Sequence, residues 1–218
     1  MINIKKNTAV IFPGQGSQII GMGADLYEKS SIAKDIFDEV DDTLGRKLTD
    51  IVFSGSQETL NKTENAQPAI TATSLACFSV FKDKYKDFTP SVTAGHSLGE
   101  YTSLSASNAL SISDTIRLVS ERGRLMQIAC DKNPGGMVAI IGMEIDVVEE
   151  VCREAGAYPS NINSSQQVII SGDNDSLAIA VDLAKARGAK TVSYTHLRAH
   201  ETPEHLVSRH RREKKYGG

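Results

Sequence analysis

The sequence predicts an α/β protein built as a larger unit followed by a smaller one, and three observations carry that reading. A strand-length segment runs through the sharp turn Gly95-His96-Ser97-Leu98-Gly99 into a helical one. Upstream and downstream of it, short apolar runs alternate with helix-period segments, the pattern of strands packed against helices. After Asn133-Pro134-Gly135-Gly136 the pattern restarts as strand, helix, strand, strand, helix, strand.

The first run, Thr8 to Phe12, is apolar and of strand length, and Pro13-Gly14-Gln15-Gly16-Ser17-Gln18 stops it in a tight loop rich in backbone amides. That loop reads either as a plain turn or as a ligand-facing one, because ligands gather at the carboxyl ends of strands in such sheets. Ile32 to Leu44 is helical, with Ile32, Ile36, Phe37, Val40 and Leu44 on one face. Leu48 to Phe53 is a short helix. Ala66 to Phe81 is a longer one, apolar almost all round, with Pro68 expected in its first turn, where a missing N–H costs nothing.

Pro90 to Ala94 reads as a buried strand and Leu98 to Leu110 as a helix, so Ser97 sits on the turn between them. Gly-x-Ser-x-Gly in that setting is the nucleophile-elbow pattern: the turn is so tight that side chains at the two glycine positions would clash. It presents the Ser97 hydroxyl and sets the Leu98 amide at a helix start, where N–H groups hold an oxyanion. The residues alone leave a purely structural turn as the alternative.

Ser113 to Cys130 is a helix with Ser113 as its expected N-cap. At about 100° per residue, Leu118, Val119, Leu125, Met126 and Ala129 share a stripe. Arg122 falls within it, while Arg117 and Arg124 lie opposite, in reach of Glu121. An inward guanidinium must meet an anion, since burying it alone costs several kcal/mol. The residues leave that anion open between an internal Asp or Glu and a bound carboxylate.

In the second unit, strands Met137–Ile141, Tyr158–Asn163, Gln167–Ser171 and Lys190–Tyr194 with helices Ile145–Ala155 and Asp175–Arg187 give the order of a ferredoxin-like subdomain. The expected boundaries are 1–130, 131–194, and a tail over 195–218. Residues 193–218 carry six Lys/Arg against three Asp/Glu and four of the five histidines, whereas the rest holds 18 basic and 24 acidic residues. The tail has no clean period and reads as a disordered, non-family segment, such as translated adapter sequence joined to a truncated gene.

Composition is that of a globular chain: 40% hydrophobic and 23% charged over 218 residues. Cys77, Cys130 and Cys152, odd in number and widely spaced, read as buried thiols and not as a disulfide frame or zinc site. The apolar run Ala9–Phe12 is too short for a signal peptide or membrane span, which points to a cytoplasmic address. No metal or cofactor is expected, and neither nucleic acid nor membrane is an expected partner.

Taken together, Phe12-Pro13-Gly14-Gln15-Gly16-Ser17-Gln18, Gln67-Pro68-Ala69, Gly95-His96-Ser97-Leu98-Gly99-Glu100-Tyr101, Glu121-Arg122-Gly123 and Asn161-Ile162-Asn163 with Gln167 resemble the malonyl-CoA:acyl carrier protein transacylase family from about residue 7 to about 191. The resemblance implies an α/β-hydrolase-like large subdomain, here incomplete, with the ferredoxin-like βαββαβ small subdomain inserted. It implies malonyl transfer from malonyl-CoA through a malonyl-Ser97 ester to the pantetheine thiol of acyl carrier protein, in fatty acid biosynthesis. By the same resemblance the amides of Gln15 and Leu98 form the oxyanion hole, Arg122 holds the malonyl carboxylate, and His96 and Asn163 line the substrate pocket; a monomer is expected separately.

The family's catalytic base is a histidine in a Ser-Gly-Pro-Phe-His-Ser-like segment, and nothing around His200 or His205 matches it. The expectation is therefore a chain of impaired or no activity. A serine esterase or thioesterase shares the elbow but gives Arg122 no role. An acyltransferase domain of a polyketide synthase is a relative of the same kind, disfavoured by the start at Met1. A non-catalytic carrier-protein-binding fragment would bind without acylating Ser97.

Overall fold

A computed structural model gives the protein's coordinates and describes residues 8–193. The chain divides into two compact units, the first ending at Gln127 and the second beginning at Ile128.

The first unit runs β1 (Ala9–Phe12), α1 (Ala24–Lys29), α2 (Ser31–Leu44), α3 (Leu48–Ser54), α4 (Gln57–Asn61), α5 (Thr63–Lys84), β2 (Val92–Gly95), α6 (Gly99–Ala106) and α7 (Ile112–Lys132), the last continuing past the boundary. β1 and β2 pair in parallel, Ala9 opposite Val92 and Phe12 opposite Gly95. α2 starts where Ser30 Oγ accepts from the Ala33 amide and stops at Gly45, whose left-handed φ of 62° glycine adopts without the Cβ penalty of other residues. Its inner face, Ile36, Phe37 and Val40, packs with Val52, Ile70, Leu75 and Leu98 into one core. Asp41, buried at the end of α2, accepts from the backbone N–H (3.1 Å) and hydroxyl (2.6 Å) of Thr49 and so anchors α3.

Several expectations need correction here. α1 and α4 were not foreseen: six and five residues are too few to display a period, and α1 buries none of its own. The helix expected from Ala66 begins at Thr63, so Pro68 lies in its second turn and withholds a hydrogen bond from the Glu64 carbonyl. Arg46 Nη2 donates to that carbonyl at 3.3 Å and replaces it. α6 stops at Ala106, short of Leu110, because Asn108 takes the left-handed conformation (φ 61°) and the Ala109 amide turns back onto Leu104 O.

Ser111, not Ser113, caps α7, accepting from the Asp114 amide at 3.0 Å, while Ser113 Oγ donates to Glu39. Arg117 pairs with Asp114, and only Arg124 pairs with Glu121. Leu118 and Leu125 are 46% and 50% exposed; the buried side of α7 is Thr115, Ile116, Val119 and Gly123. Of the cysteines, Cys130 and Cys152 are buried but Cys77 is exposed. Burial among apolar neighbours pushes the Cys152 thiol up to about 12.

The second unit runs β3 (Gly136–Ile141), α8 (Ile145–Ala155), β4 (Tyr158–Ser164), β5 (Gln167–Gly172), α9 (Asn174–Ala186) and β6 (Lys190–Ser193). Its sheet has the order β4-β5-β3-β6, antiparallel throughout. β3 alternates as its sequence demands: Val138 and Ile140 join Val148, Val151, Val168, Ile170, Leu177 and Ala180 in one core, and Met137 and Ala139 join Ile169 on the opposite face. The segment 195–218, with His200 and His205, lies outside the described residues. No helix among the described residues is long and apolar enough to cross a membrane.

Candidate active site

The site grows from the end of β2. Gly95 closes the strand, Ser97 follows at φ 52°, and α6 begins at Gly99. A left-handed serine is uncommon and costs on the order of 1–2 kcal/mol. The glycines make the turn feasible: a Cβ on Gly95 would lie 1.9 Å from the Gly99 carbonyl carbon, and one on Gly99 would lie 2.3 Å from Phe12 O. The His96 amide donates to Phe12 O at 3.1 Å, so the elbow extends the β1–β2 pairing by one bond.

The loop after β1 lies directly on this elbow. A Cβ on Gly14 would come within 2.8 Å of His96 O and 3.0 Å of its Cδ2. The loop is braced internally, with the Gly16 amide on Gln18 Oε1 (2.8 Å) and Ser17 Oγ on Gly14 O (3.1 Å), and externally by Gln18 Nε2 on Asn61 Oδ1 (3.0 Å). The backbone amides of Gln15 and Leu98 have no acceptor among the described residues.

Arg122 arrives from α7. Helices α7 and α5 pass close, and Gly123 permits it, since a Cβ there would sit 2.6 Å from Thr63 O. From that crossing Arg122 sends Nη1 to Gln67 Oε1 at 2.8 Å and Nη2 to Ser97 Oγ at 3.0 Å, with the guanidinium 5.8 Å from the centre of the Tyr101 ring. Among the described residues no carboxylate pairs with it. Its neighbours Arg117 and Arg124 do find acids, on the solvent side.

The structure thus brings Ser97, Leu98, Gln15 and Arg122 together. His96 is exposed, its ring edge against Gly14. Asn163 belongs to the second unit, on β4, and is exposed. Three contributors received no role from sequence: Gln67, Tyr101 and Gly123. The signal for Gln67 was present, a carboxamide in a helix segment otherwise made of apolar residues and one threonine, Ala66 to Ala72.

Comparison with known proteins gives a consistent result. The acyl transferase domain family matches residues 9–213. The chain is 45% identical over 187 residues to malonyl CoA-acyl carrier protein transacylase of Bacillus subtilis, covering 84% of this chain and 58% of that protein. To the Haemophilus influenzae protein of the same name it is 43% identical over 189 residues, covering 85% and 61%. A malonyl-transacylase solved with the acyl carrier protein of a type II polyketide synthase superposes with a TM-score of 0.81 at 40% identity, over 87% of this chain and 62% of that one. The chain therefore spans about three fifths of the length of the relatives it matches.

Proposed function

The chain belongs to the acyl transferase domain family, and from that premise we propose that it carries the acyl-binding half-site of a malonyl-CoA:acyl carrier protein transacylase. In this reading the first unit is the α/β-hydrolase-like part and the second the ferredoxin-like part, working in the cytoplasm on malonyl-CoA and acyl carrier protein.

Ser97 Oγ attacks the thioester carbonyl, and the negative charge that develops on oxygen is held by the amides of Gln15 and Leu98. The C–S bond then breaks, coenzyme A leaves as its thiol with the serine proton, and malonyl-Ser97 remains. The pantetheine thiol of acyl carrier protein attacks that ester, takes the malonyl group and returns the proton to Ser97. A serine at neutral pH needs a proton acceptor for these steps. Residues 8–193 contain one histidine, His96, whose ring edge packs at Gly14.

The observation that carries the reading is the Arg122 fork, placed on the nucleophile without a carboxylate partner among the described residues. Two parallel N–H donors match a carboxylate. The same fork, donating to Ser97 Oγ, draws on the lone pairs the serine attacks with. A malonyl carboxylate competes for that donor and releases the hydroxyl. An acetyl group offers nothing to compete with, so it gains no charge-assisted bond to the fork and the hydroxyl stays engaged, a difference of several kcal/mol.

Intact-mass measurement after incubation with malonyl-CoA tests this. A malonyl adduct that disappears in Ser97→Ala and forms faster than acetyl or butyryl adducts from their thioesters is the expected result. Equal acylation by all three points to an esterase and overturns the proposal; binding of carrier protein with no adduct points to a non-catalytic binder.

A further inference from the structure

Gln67 is fully buried in α5, so both ends of its carboxamide need partners. Its Oε1 accepts from Arg122 Nη1 at 2.8 Å, while Nε2 faces Met126 Sδ at 3.1 Å and Gln15 Oε1 at 3.5 Å. Only one orientation satisfies all three. A guanidinium donates and never accepts, so the amide oxygen must face it; the amide nitrogen is then left with a carbonyl oxygen and a thioether, both acceptors. Gln15 Nε2 continues the chain to Thr63 Oγ1 at 3.4 Å, so the Arg122 anchor is tied to the loop that supplies the Gln15 amide.

The chemical character of this anchor is what matters. A partly buried arginine is ordinarily held by Asp or Glu, which fixes it and cancels its charge. Among the described residues the partners of Arg122 are neutral instead: a carboxamide oxygen, a hydroxyl and an aromatic face. We propose that Gln67 is a specificity-determining positioning residue, fixing the Arg122 fork while leaving its positive charge uncompensated, so that the site selects acyl groups bearing a carboxylate. This rests on the reading of Arg122 given above and adds the reason its charge is available.

The test uses the 218-residue chain and two pantetheine probes, malonyl and acetyl amides, in which nitrogen replaces the thioester sulfur so that no transfer occurs. Calorimetry is expected to show the wild-type chain preferring the malonyl probe by about tenfold or more. Gln67→Glu is expected to reduce that preference to about twofold or less by cancelling the charge, with acetyl binding unchanged. Gln67→Met, of similar volume and neutral, is expected to weaken malonyl binding about threefold through the lost anchor, again without changing acetyl binding. A purely structural Gln67 would move both probes together.

The outcomes separate the two claims. Absence of a malonyl preference in the wild-type chain, or its persistence in Arg122→Gln, overturns the reading of Arg122. A preference lost in Arg122→Gln but kept in Gln67→Glu overturns the role of Gln67 alone. Should Gln67→Glu fail to fold by circular dichroism, unchanged malonyl binding in Gln67→Met overturns it equally.

Discussion

The two units treat the edges and faces of a sheet in opposite ways. In the second, β3 lies between β5 and β6, and all four strands come from one stretch of chain, Gly136 to Ser193. Its β4–β5 hairpin closes a short loop, while β3 reaches across intervening elements to β5 and β6. In the first, two four-residue strands more than seventy residues apart pair in parallel and, among the described residues, only with each other. Parallel strands are normally covered on both faces, yet Ile11 is 73% exposed and Val92 55%. The first unit is held by its helices, through α2 and α5, and its small sheet serves mainly to aim the elbow. The unit that holds the candidate site is therefore the one whose sheet supports itself least.

The most severe way to probe this difference is Gly95→Ala. A Cβ 1.9 Å from the Gly99 carbonyl carbon has no room that a side-chain movement could provide, so backbone must shift. A loss of about 4 kcal/mol or more in the first unit is expected. Hydrogen exchange should show protection falling across α5 and α6 while Val138–Ile141 keep theirs; simultaneous loss in both units would mean that they unfold as one. Ile140→Ala reverses the experiment. Ile140 is fully buried in β3, and its truncation is expected to cost about 2–5 kcal/mol, read at β3 and β5 first.

The same contrast explains what the sequence disclosed. The second unit was legible because strand-length apolar runs such as Met137–Ile141 and helix-length segments follow one another in a fixed order, and a Pro/Gly break announces the start. The elbow was legible because Gly95 and Gly99 have a steric purpose that no other residue meets. What stayed hidden depends on long-range contacts. Leu118 and Leu125 satisfy helical periodicity yet face outward, since the close pass at Gly123 turns a different side of α7 toward α5. Gln67 gave no hint of its partner, because Arg122 lies 55 residues away in sequence. For the anion that Arg122 meets the sequence offered two choices, and among the described residues its partners are the neutral Gln67, Ser97 and Tyr101.

A smaller effect, of the opposite sign, is expected at Ser97. Glycine accepts φ 52° without a Cβ penalty, so Ser97→Gly should stabilise the first unit by about 1 kcal/mol while abolishing any adduct. Denaturant titration followed at α6 would show it; a destabilised variant would mean that the Arg122–Ser97 bond outweighs the backbone strain.

The smallest expected effect concerns acid, and it separates the units by mechanism. Asp173 caps α9, accepting from the Ser176 amide (2.7 Å) and hydroxyl (3.0 Å), and those bonds hold its carboxyl below 3.8. In the first unit Ser30 and Ser56 cap α2 and α4 with hydroxyls that do not titrate in this range. There the lowered carboxyls are Asp38, bonded to Lys34 and Tyr27, and Glu121, bonded to Arg124, all on the surface. A carboxyl with a depressed folded pKa contributes fully above its unfolded value and loses that contribution as pH falls through the folded one. Both units should therefore weaken as pH drops below about 4. Salt distinguishes them: at about 1 M the Debye length is about 3 Å, so the ion pairs of Asp38 and Glu121 lose most of their effect, whereas a cap made of hydrogen bonds keeps most of its own. Exchange of α9 amides should stay acid-sensitive in high salt and lose that sensitivity in Asp173→Asn, while α2 loses the Lys34 share of its sensitivity in salt and keeps only the share from the Tyr27 hydrogen bond to Asp38; an α9 response that salt removes would show the cap to be a charge effect instead.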